Sequence, residues 1–405
     1  MRIKGLPLLS LTLAFLAVNA NKADINSPID NIVASHGYAF EEHQIITDDG
    51  YILKAFRIPG RAFIRDLLIP GPPVICAHGI IDSSDGWVVN DEDSPAFVLA
   101  DAGYDVWLIN TRGNKYSKKH ITMDTSSEQY WDFSWEEVGV MDLPAFTDYI
   151  LQVTGYQKLA YIGHSMGTTQ AFYGLVQNLT YFQERWSMFV ALAPPLSMKN
   201  FNDSHALKFL ADEKVVNAIV AAQKLTKNYE FFPANFINSG MMKSLCAVVY
   251  DACLALEKLV ADSNPDVNDQ VASQVYFGHY PSGSSLKQVV HFTQLTHSNK
   301  FNRYDYGAQR NMAHYGQVLP PENDISKIEN IPIVIIAGSQ DLLSTLADTR
   351  WQLSQLNHTV VFYKEYDMGH LTYFTHKDMT YFKVDVMEQL RQYHPLPEKT
   401  IGFMQ

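Results

Sequence analysis

Apolar-rich runs recur along the chain at intervals that leave room for a helix between them. Val74 to Ala77, Tyr104 to Ile109, Leu159 to Ile162 and Phe189 to Ala193 each run into a loop rich in Gly, Pro, Asn or Ser. Runs of that length predict buried strands, and their alternation with helical stretches predicts a mostly parallel sheet covered on both faces. Ahead of them, His43 to Ile58 predicts a hairpin turning on Asp48-Asp49-Gly50. The rhythm stops after Pro194-Pro195 and resumes with Ile331 to Ala337 and Thr359 to Tyr363, followed by a helix around Lys377 to Arg391. Between the two parts no buried strand is evident. There Leu245, Val248, Val249, Ala252, Leu256, Leu259 and Val260 fall at helical spacing, and Phe231-Phe232-Pro233 and Met241-Met242 add apolar bulk. The pattern predicts an α/β core of residues 21–195 and 316–405, interrupted at 196–315 by a helical insertion placed to cap it.

Composition agrees with a large packed domain. Of 405 residues, 47% are hydrophobic and 18% charged, enough apolar material for a sizeable core. A net charge of −12 argues against nucleic acid or an anionic membrane surface as a partner held by charge. The first residues read separately. Arg2 and Lys4 precede the apolar run Leu6 to Val18, and Val18-Asn19-Ala20 supplies small residues before a polar stretch. Residues 1–20 therefore have the form of a secretory signal peptide, the apolar run being well short of the ~20 residues a membrane span needs. A secreted or lysosomal protein without a transmembrane anchor is expected. Sequons at Asn178, Asn202 and Asn357 fit that compartment. Three cysteines are too few for a disulfide scaffold. Cys76 sits in an apolar strand as a buried thiol. Cys246 and Cys253 can pair only if a turn breaks the segment between them, because seven residues of straight helix rise ~10 Å.

The chemistry centres on Gly163-His164-Ser165-Met166-Gly167, which lies between the strand Leu159 to Ile162 and an apparent helix from Thr168. Gly-x-Ser-x-Gly in that context is a nucleophile elbow, a sharp turn that projects the serine hydroxyl clear of the sheet. A serine needs a histidine base and a group to orient it, and in this arrangement the order along the chain is Ser, acid, His, at the ends of later strands. Asp341 follows the strand Ile331 to Ala337, and His370 follows Thr359 to Tyr363. Asp367 is nearer His370 in sequence but belongs to its own turn, and His376 lies too far along. The oxyanion formed when the serine attacks needs two backbone donors. Met166 N–H follows the nucleophile, and Ile80 N–H follows the His78-Gly79 pair, where the glycine lets the backbone approach. No metal-ligand spacing and no phosphate loop is present, so no cofactor and no metal are expected.

These motifs resemble the acid lipase family of α/β-hydrolases over nearly all of the chain beyond the leader. The resemblance rests on Thr47 to Leu53, His78-Gly79-Ile80, Ala100 to Leu108, Thr111-Arg112-Gly113-Asn114, Phe133-Ser134-Trp135-Glu136-Glu137, Asp142 to Ala145, Ala191 to Pro194 and Tyr304-Asp305-Tyr306-Gly307. It implies an α/β-hydrolase fold with a mostly parallel sheet, helices on both faces and an inserted helical cap with a lid. It also implies Ser165 as nucleophile, Asp341 as acid, His370 as base, and Ile80 and Met166 as oxyanion donors. The expected activity is a serine lipase or esterase acting on neutral lipid esters at a lipid–water interface. A phospholipase A1-type activity or an inactive lipid-binding protein are the alternatives. The chain departs from the family at Met166, where familiar animal members carry Gln, at Gly338-Ser339-Gln340-Asp341, and most of all in the cap.

Overall fold

The computed structural model describes residues 24–63, 70–201, 212–235, 240–241, 246 and 249–397. The expected signal peptide at 1–20, the sequon residue Asn202 and Met242 lie outside them.

Among the described residues, eleven strands lie in two sheets. They are β1 (Glu41–Ile46), β2 (Tyr51–Ile58), β3 (Pro73–Ala77), β4 (Asp105–Asn110), β5 (Lys119–His120), β6 (Leu159–His164), β7 (Trp186–Leu192), β8 (Glu230–Phe231), β9 (Ser284–Ser285), β10 (Ile333–Gly338) and β11 (Val360–Tyr366). The main sheet runs β1-β2-β4-β3-β6-β7-β10-β11, with β5 beside β2; β8 and β9 form a small ladder of their own. From β4 to β11 every neighbouring pair is parallel, whereas β1, β2 and β5 add an antiparallel edge.

The predicted hairpin is β1–β2. Gly50 N–H donates to Thr47 C=O at 2.9 Å, and Thr47 N–H to Tyr51 C=O at 2.9 Å. Gly50 has φ +94°, which a residue with a Cβ adopts only under strain. The five residues of β3 and the six each of β4, β6 and β10 are wholly buried. Side chains alternate between two cores, as a period of two requires. Val74, Cys76, Val106, Leu108, Ala160, Ile162, Val334 and Ile336 fill one face. Ile75, Ala77, Trp107, Ile109, Leu159, Tyr161, Ile333 and Ile335 fill the other.

Two of the sequence motifs are structural in origin. Arg112, 2% exposed, places Nη1 2.6 Å from Asp49 and Nη2 2.6 Å from Asp142, with its guanidinium 3.9 Å from the Tyr51 ring centre. It clamps the hairpin turn to the helix Leu143–Thr154. Ser134 and Glu137 form a reciprocal capping box, with Ser134 N–H donating to Glu137 at 2.6 Å and Glu136 N–H to Ser134 Oγ at 3.1 Å.

The segment between β7 and β10 contains the helices Glu213–Thr226, Tyr250–Val260, Gln270–His279, Leu286–Leu295 and Ala308–Tyr315. Among the described residues, the apolar positions over 249–260 do not form one buried stripe. Val249, the N-cap of Tyr250–Val260, has φ −130° and ψ 72°, which breaks the segment there. Across that break Cys246 and Cys253 are disulfide-bonded, with Cα atoms 5.1 Å apart. Val249 and Leu259 face outward at 50% and 53% exposure, while Cys253 and Glu257 are the residues this helix buries. Cys76 is a buried free thiol. The last helix is also in two pieces, a π-helical Tyr381–Val386 and an α-helical Met387–Tyr393. No helix among the described residues is long and apolar enough to cross a membrane.

Candidate active site

The chain leaves β3 for β4 on one side, and β6 pairs with β3 on the other, with Ala77 opposite Gly163. This reversal of strand order opens a crevice at the carboxyl ends of the strands. The loops after β3 and β6 therefore emerge side by side, and they carry Gly79-Ile80 and Ser165-Met166.

Ser165 has φ 53° and ψ −122°, a sparsely populated conformation for a residue with a Cβ. Its N–H donates to Leu192 C=O at 2.9 Å, and its C=O accepts from Thr168 N–H at 2.8 Å and Thr168 Oγ1 at 2.6 Å. The flanking glycines serve two different close approaches. A Cβ on Gly163 would lie 2.6 Å from Gly167 O, where strand meets helix. A Cβ on Gly167 would lie 2.6 Å from Ala77 O and 3.0 Å from His78 O, where the helix start meets the next strand. Met166 opens the helix Met166–Gln177, so its N–H has no acceptor within the helix. A Cβ on Gly79 would lie 3.1 Å from Ser165 Cβ, which brings the Gly79-Ile80 backbone against the hydroxyl.

Asp341 and His370 come from the loops after β10 and β11. His370 Nε2 lies 2.7 Å from Ser165 Oγ, and His370 Nδ1 2.9 Å from Asp341 Oδ2. A carboxylate only accepts, so Nδ1 carries the proton and Nε2 is left to accept from the hydroxyl. Asp341 Oδ1 accepts from Leu343 N–H at 2.8 Å and Ser344 N–H at 2.7 Å, which fixes the carboxylate plane. His370 is buried, and burial alone would lower its pKa. The charge and hydrogen bond of Asp341, with the charge of Asp262, outweigh it and raise the value above that of an ordinary imidazole. All five residues expected at the site thus gather at the carboxyl ends of the strands, four of them in the connecting loops and Met166 at the first position of its helix. Asp367 instead accepts from Gln340 Nε2 at 2.8 Å on the exposed side.

A family model of the alpha/beta hydrolase fold matches residues 72–377, and one of a partial alpha/beta-hydrolase lipase region matches residues 29–91. Gastric triacylglycerol lipase of Rattus norvegicus is 33% identical over 346 residues, covering 84% of this chain and 85% of that one. The chain belongs to the acid lipase family of α/β-hydrolases. Lipase lipl-1 of Caenorhabditis elegans is 36% identical, over 84% of this chain and 85% of its own. Lipase 1 of Drosophila melanogaster is 35% identical over 80% of this chain and 69% of its own. The chain is accordingly a carboxylic ester hydrolase.

Sequence reasoning missed two histidines that orient this lipase's site. His78 Nε2 accepts from Thr111 N–H at 3.2 Å, so its proton is on Nδ1, which donates to Gly79 C=O at 2.7 Å. That carbonyl belongs to the peptide whose other end is Ile80 N–H. Burial first, against a partial offset from the Gly79 hydrogen bond, depresses His78 to about 4 and keeps the ring neutral in mild acid. Asn114 Nδ2, 3.1 Å from His78 Nε2, adds a second contact and gives the Thr111 to Asn114 motif a role. His164 Nε2 lies 2.8 Å from His370 C=O and holds the backbone of the base's loop. Burial, then the neighbouring His370, drive its pKa well below the ordinary value. A run of His-Gly and Gly-His beside the motif was the visible signal, but which nitrogen bonds to what depends on strand neighbours.

Of the sequons, Asn178 is exposed and caps the helix Leu179–Arg185 by accepting from Tyr181 N–H at 3.3 Å. Asn357 starts a short 3₁₀ turn, Asn357–Thr359. Among the described residues no cluster of His, Cys, Asp or Glu is arranged to hold a metal.

Proposed function

We propose that this chain is a secreted or lysosomal lipase that hydrolyses neutral lipid esters, triacylglycerol or sterol ester, through an acyl-enzyme on Ser165. The observation that carries the reading is the unbroken contact chain from Ser165 Oγ to His370 at 2.7 Å and from His370 to Asp341 at 2.9 Å. His370 Nε2 takes the hydroxyl proton as Oγ attacks the ester carbonyl. Charge developing on the carbonyl oxygen meets the Ile80 and Met166 N–H groups. His370 then protonates the departing alcohol, and water repeats the sequence in reverse to release the fatty acid. Asp341 holds the tautomer and stabilises the imidazolium, remaining a carboxylate throughout.

Segment 196–315 serves as the cap over the acyl pocket. Its backbone is bonded to the oxyanion loop, the acid's loop and the short helix that follows the base: Ser282 N–H to Ile81 C=O at 2.7 Å, Leu342 N–H to Ala261 C=O at 2.9 Å, and Asp269 N–H to Thr375 C=O at 2.6 Å. Leu225, Phe232 and Met241 on it are 86%, 49% and 62% exposed, apolar surface suited to a lipid–water interface. The relative named gastric triacylglycerol lipase supports the neutral-lipid class. Ser165→Ala is expected to lower hydrolysis of a short-chain ester and of emulsified triacylglycerol roughly 10⁴-fold or more. Residual activity within tenfold of the parent refutes Ser165 as nucleophile. A panel of triacylglycerol, sterol ester and phospholipid assigns the head group.

A further inference from the structure

The helix Tyr250–Val260 buries a glutamate where an apolar residue is expected, and the reason lies one turn further on. Glu257 Oε1 accepts from Asn268 Nδ2 at 2.7 Å. Its other oxygen is buried without a hydrogen-bond donor, and Asp262, itself fully buried, lies close enough for the two carboxyls to act on each other. Two carboxyls in such contact cannot both be ionised, so they hold a proton between them. The surrounding donors assign the charge. Asp262 accepts from Leu371 N–H at 3.1 Å and from Thr372 Oγ1 at 3.0 Å, whereas Glu257 has the single Asn268 donor. Burial first, then the Asp262 charge, keep Glu257 protonated.

Asp262 therefore touches the residues just after the base. Thr372 Oγ1 also accepts from Gly369 N–H at 3.1 Å, so the contact spans His370 from both sides. Any Cβ at Gly369 would collide with the Asp262 carboxylate. The same short stretch is stitched to the acid's loop. The backbone of Asp262 pairs with that of Asp341 in an isolated antiparallel bridge, and Ser263 N–H donates to Gln340 C=O at 2.9 Å. With Leu342 N–H donating to Ala261 C=O at 2.9 Å, the three consecutive residues Ala261, Asp262 and Ser263 fix both loops that the triad draws on.

We propose that Asp262 is a positioning residue for His370, supplied by the cap: it pins the base's loop and places a second anion behind the imidazole. The inference rests on the reading of His370 as general base. The groups facing His370 are Asp341 at Nδ1, Asp262 from the inserted segment, and the neutral ring of His164. Those facing Asp262 are Glu257, Asp341, His370 and the neutral phenol of Tyr373. Two anions favour the imidazolium that forms during attack, and they also protonate the resting base at a higher pH. A displacement of the cap moves Asp262, and with it the loop that aims Nε2.

The test is the pH profile of kcat/KM for Asp262→Asn, with folding checked by circular dichroism. With one anion removed, the acid limb moves to lower pH by roughly half a unit or more, and kcat on the plateau falls roughly tenfold through the loosened loop. An acid limb that stays put, or moves up, overturns the inference. Glu257→Gln donates the same hydrogen bond and leaves the charge on Asp262, so its acid limb is expected to match the parent. A limb that falls in Glu257→Gln places the charge on Glu257 and also overturns the proposal, even where Asp262→Asn does not fold. Activity retained in Ser165→Ala would instead overturn the triad itself, which separates the two failures.

Discussion

Replacing Gly79 by alanine separates the chemistry of the site from the stability of the fold. Gly79 is not among the glycines with positive φ, so alanine meets no backbone strain there. Its new Cβ would lie 3.1 Å from Ser165 Cβ, 3.4 Å from His164 Nδ1 and 3.6 Å from Ser165 Oγ. The first distance is a few tenths of an ångström inside ordinary carbon–carbon contact. The oxyanion loop or the nucleophile must give by that amount. Such relief costs about 1 kcal/mol of stability, within the range of mild overpacking. The catalytic consequence is larger, because the displacement falls on the nucleophile and on the Ile80 donor together. A loss of roughly ten- to hundredfold in kcat is expected, with KM little changed. Gly163→Ala is the contrasting control. Its Cβ meets backbone at 2.6, 2.7 and 2.9 Å, where nothing flexible can yield, so a loss of about 3 kcal/mol or more is expected. Steady-state kinetics on a soluble ester, beside thermal unfolding, read both effects. A Gly79→Ala enzyme with the parent's Tm and kcat within twofold would show that the loop does not abut the nucleophile as described.

Three further expectations concern charge. Arg112→Ala leaves Asp142, buried beside it, without its counterion and should destabilise by about 3–5 kcal/mol, measured by denaturant unfolding; a loss under ~1 kcal/mol refutes the clamp. Because the His370 pKa is raised and the base must be unprotonated, kcat/KM of the free enzyme should fall about tenfold per pH unit below a limb that lies above the ordinary imidazole value of ~6.5. A limb below that value contradicts the two-anion environment. Stability should vary little with mild acid, because two sets of buried groups oppose each other. Burial depresses His78 and His394 to about 4 and His291 to about 3, so their contribution is complete above ~6.5 and is lost as pH falls through those values. Burial raises Asp82 and Glu136 to about 7, so theirs is complete below ~4 and is lost as pH rises through 7. Tm is expected to stay within roughly 5 °C between pH 7 and 5, and Asp82→Asn, which removes one of the offsetting groups, should make it fall more steeply with acid.

The buried strands, the hairpin and the elbow were legible in the sequence because each is set by neighbours along the chain. A run such as Val334 to Ala337 has no polar face to turn to water, so it has to be covered on both sides. Gly50 and Gly163 mark places where only a hydrogen fits. The order Ser165, Asp341, His370 was readable for the same reason, since each residue follows its own strand directly. Tertiary structure alone decided the rest. Helical spacing was readable over 245–260, but not which face the helix buries; Tyr250–Val260 turns Cys253 and Glu257 inward. No local rule reveals that a buried glutamate comes to lie beside a second buried carboxyl five positions on, or that this second residue, Asp262, accepts from the backbone next to a histidine more than a hundred residues away. The roles of His78 and His164 likewise depend on which strands lie side by side. Local patterns fix what a segment becomes, whereas hydrogen-bond partners and the charge a group carries are fixed by neighbours that only the folded chain brings together.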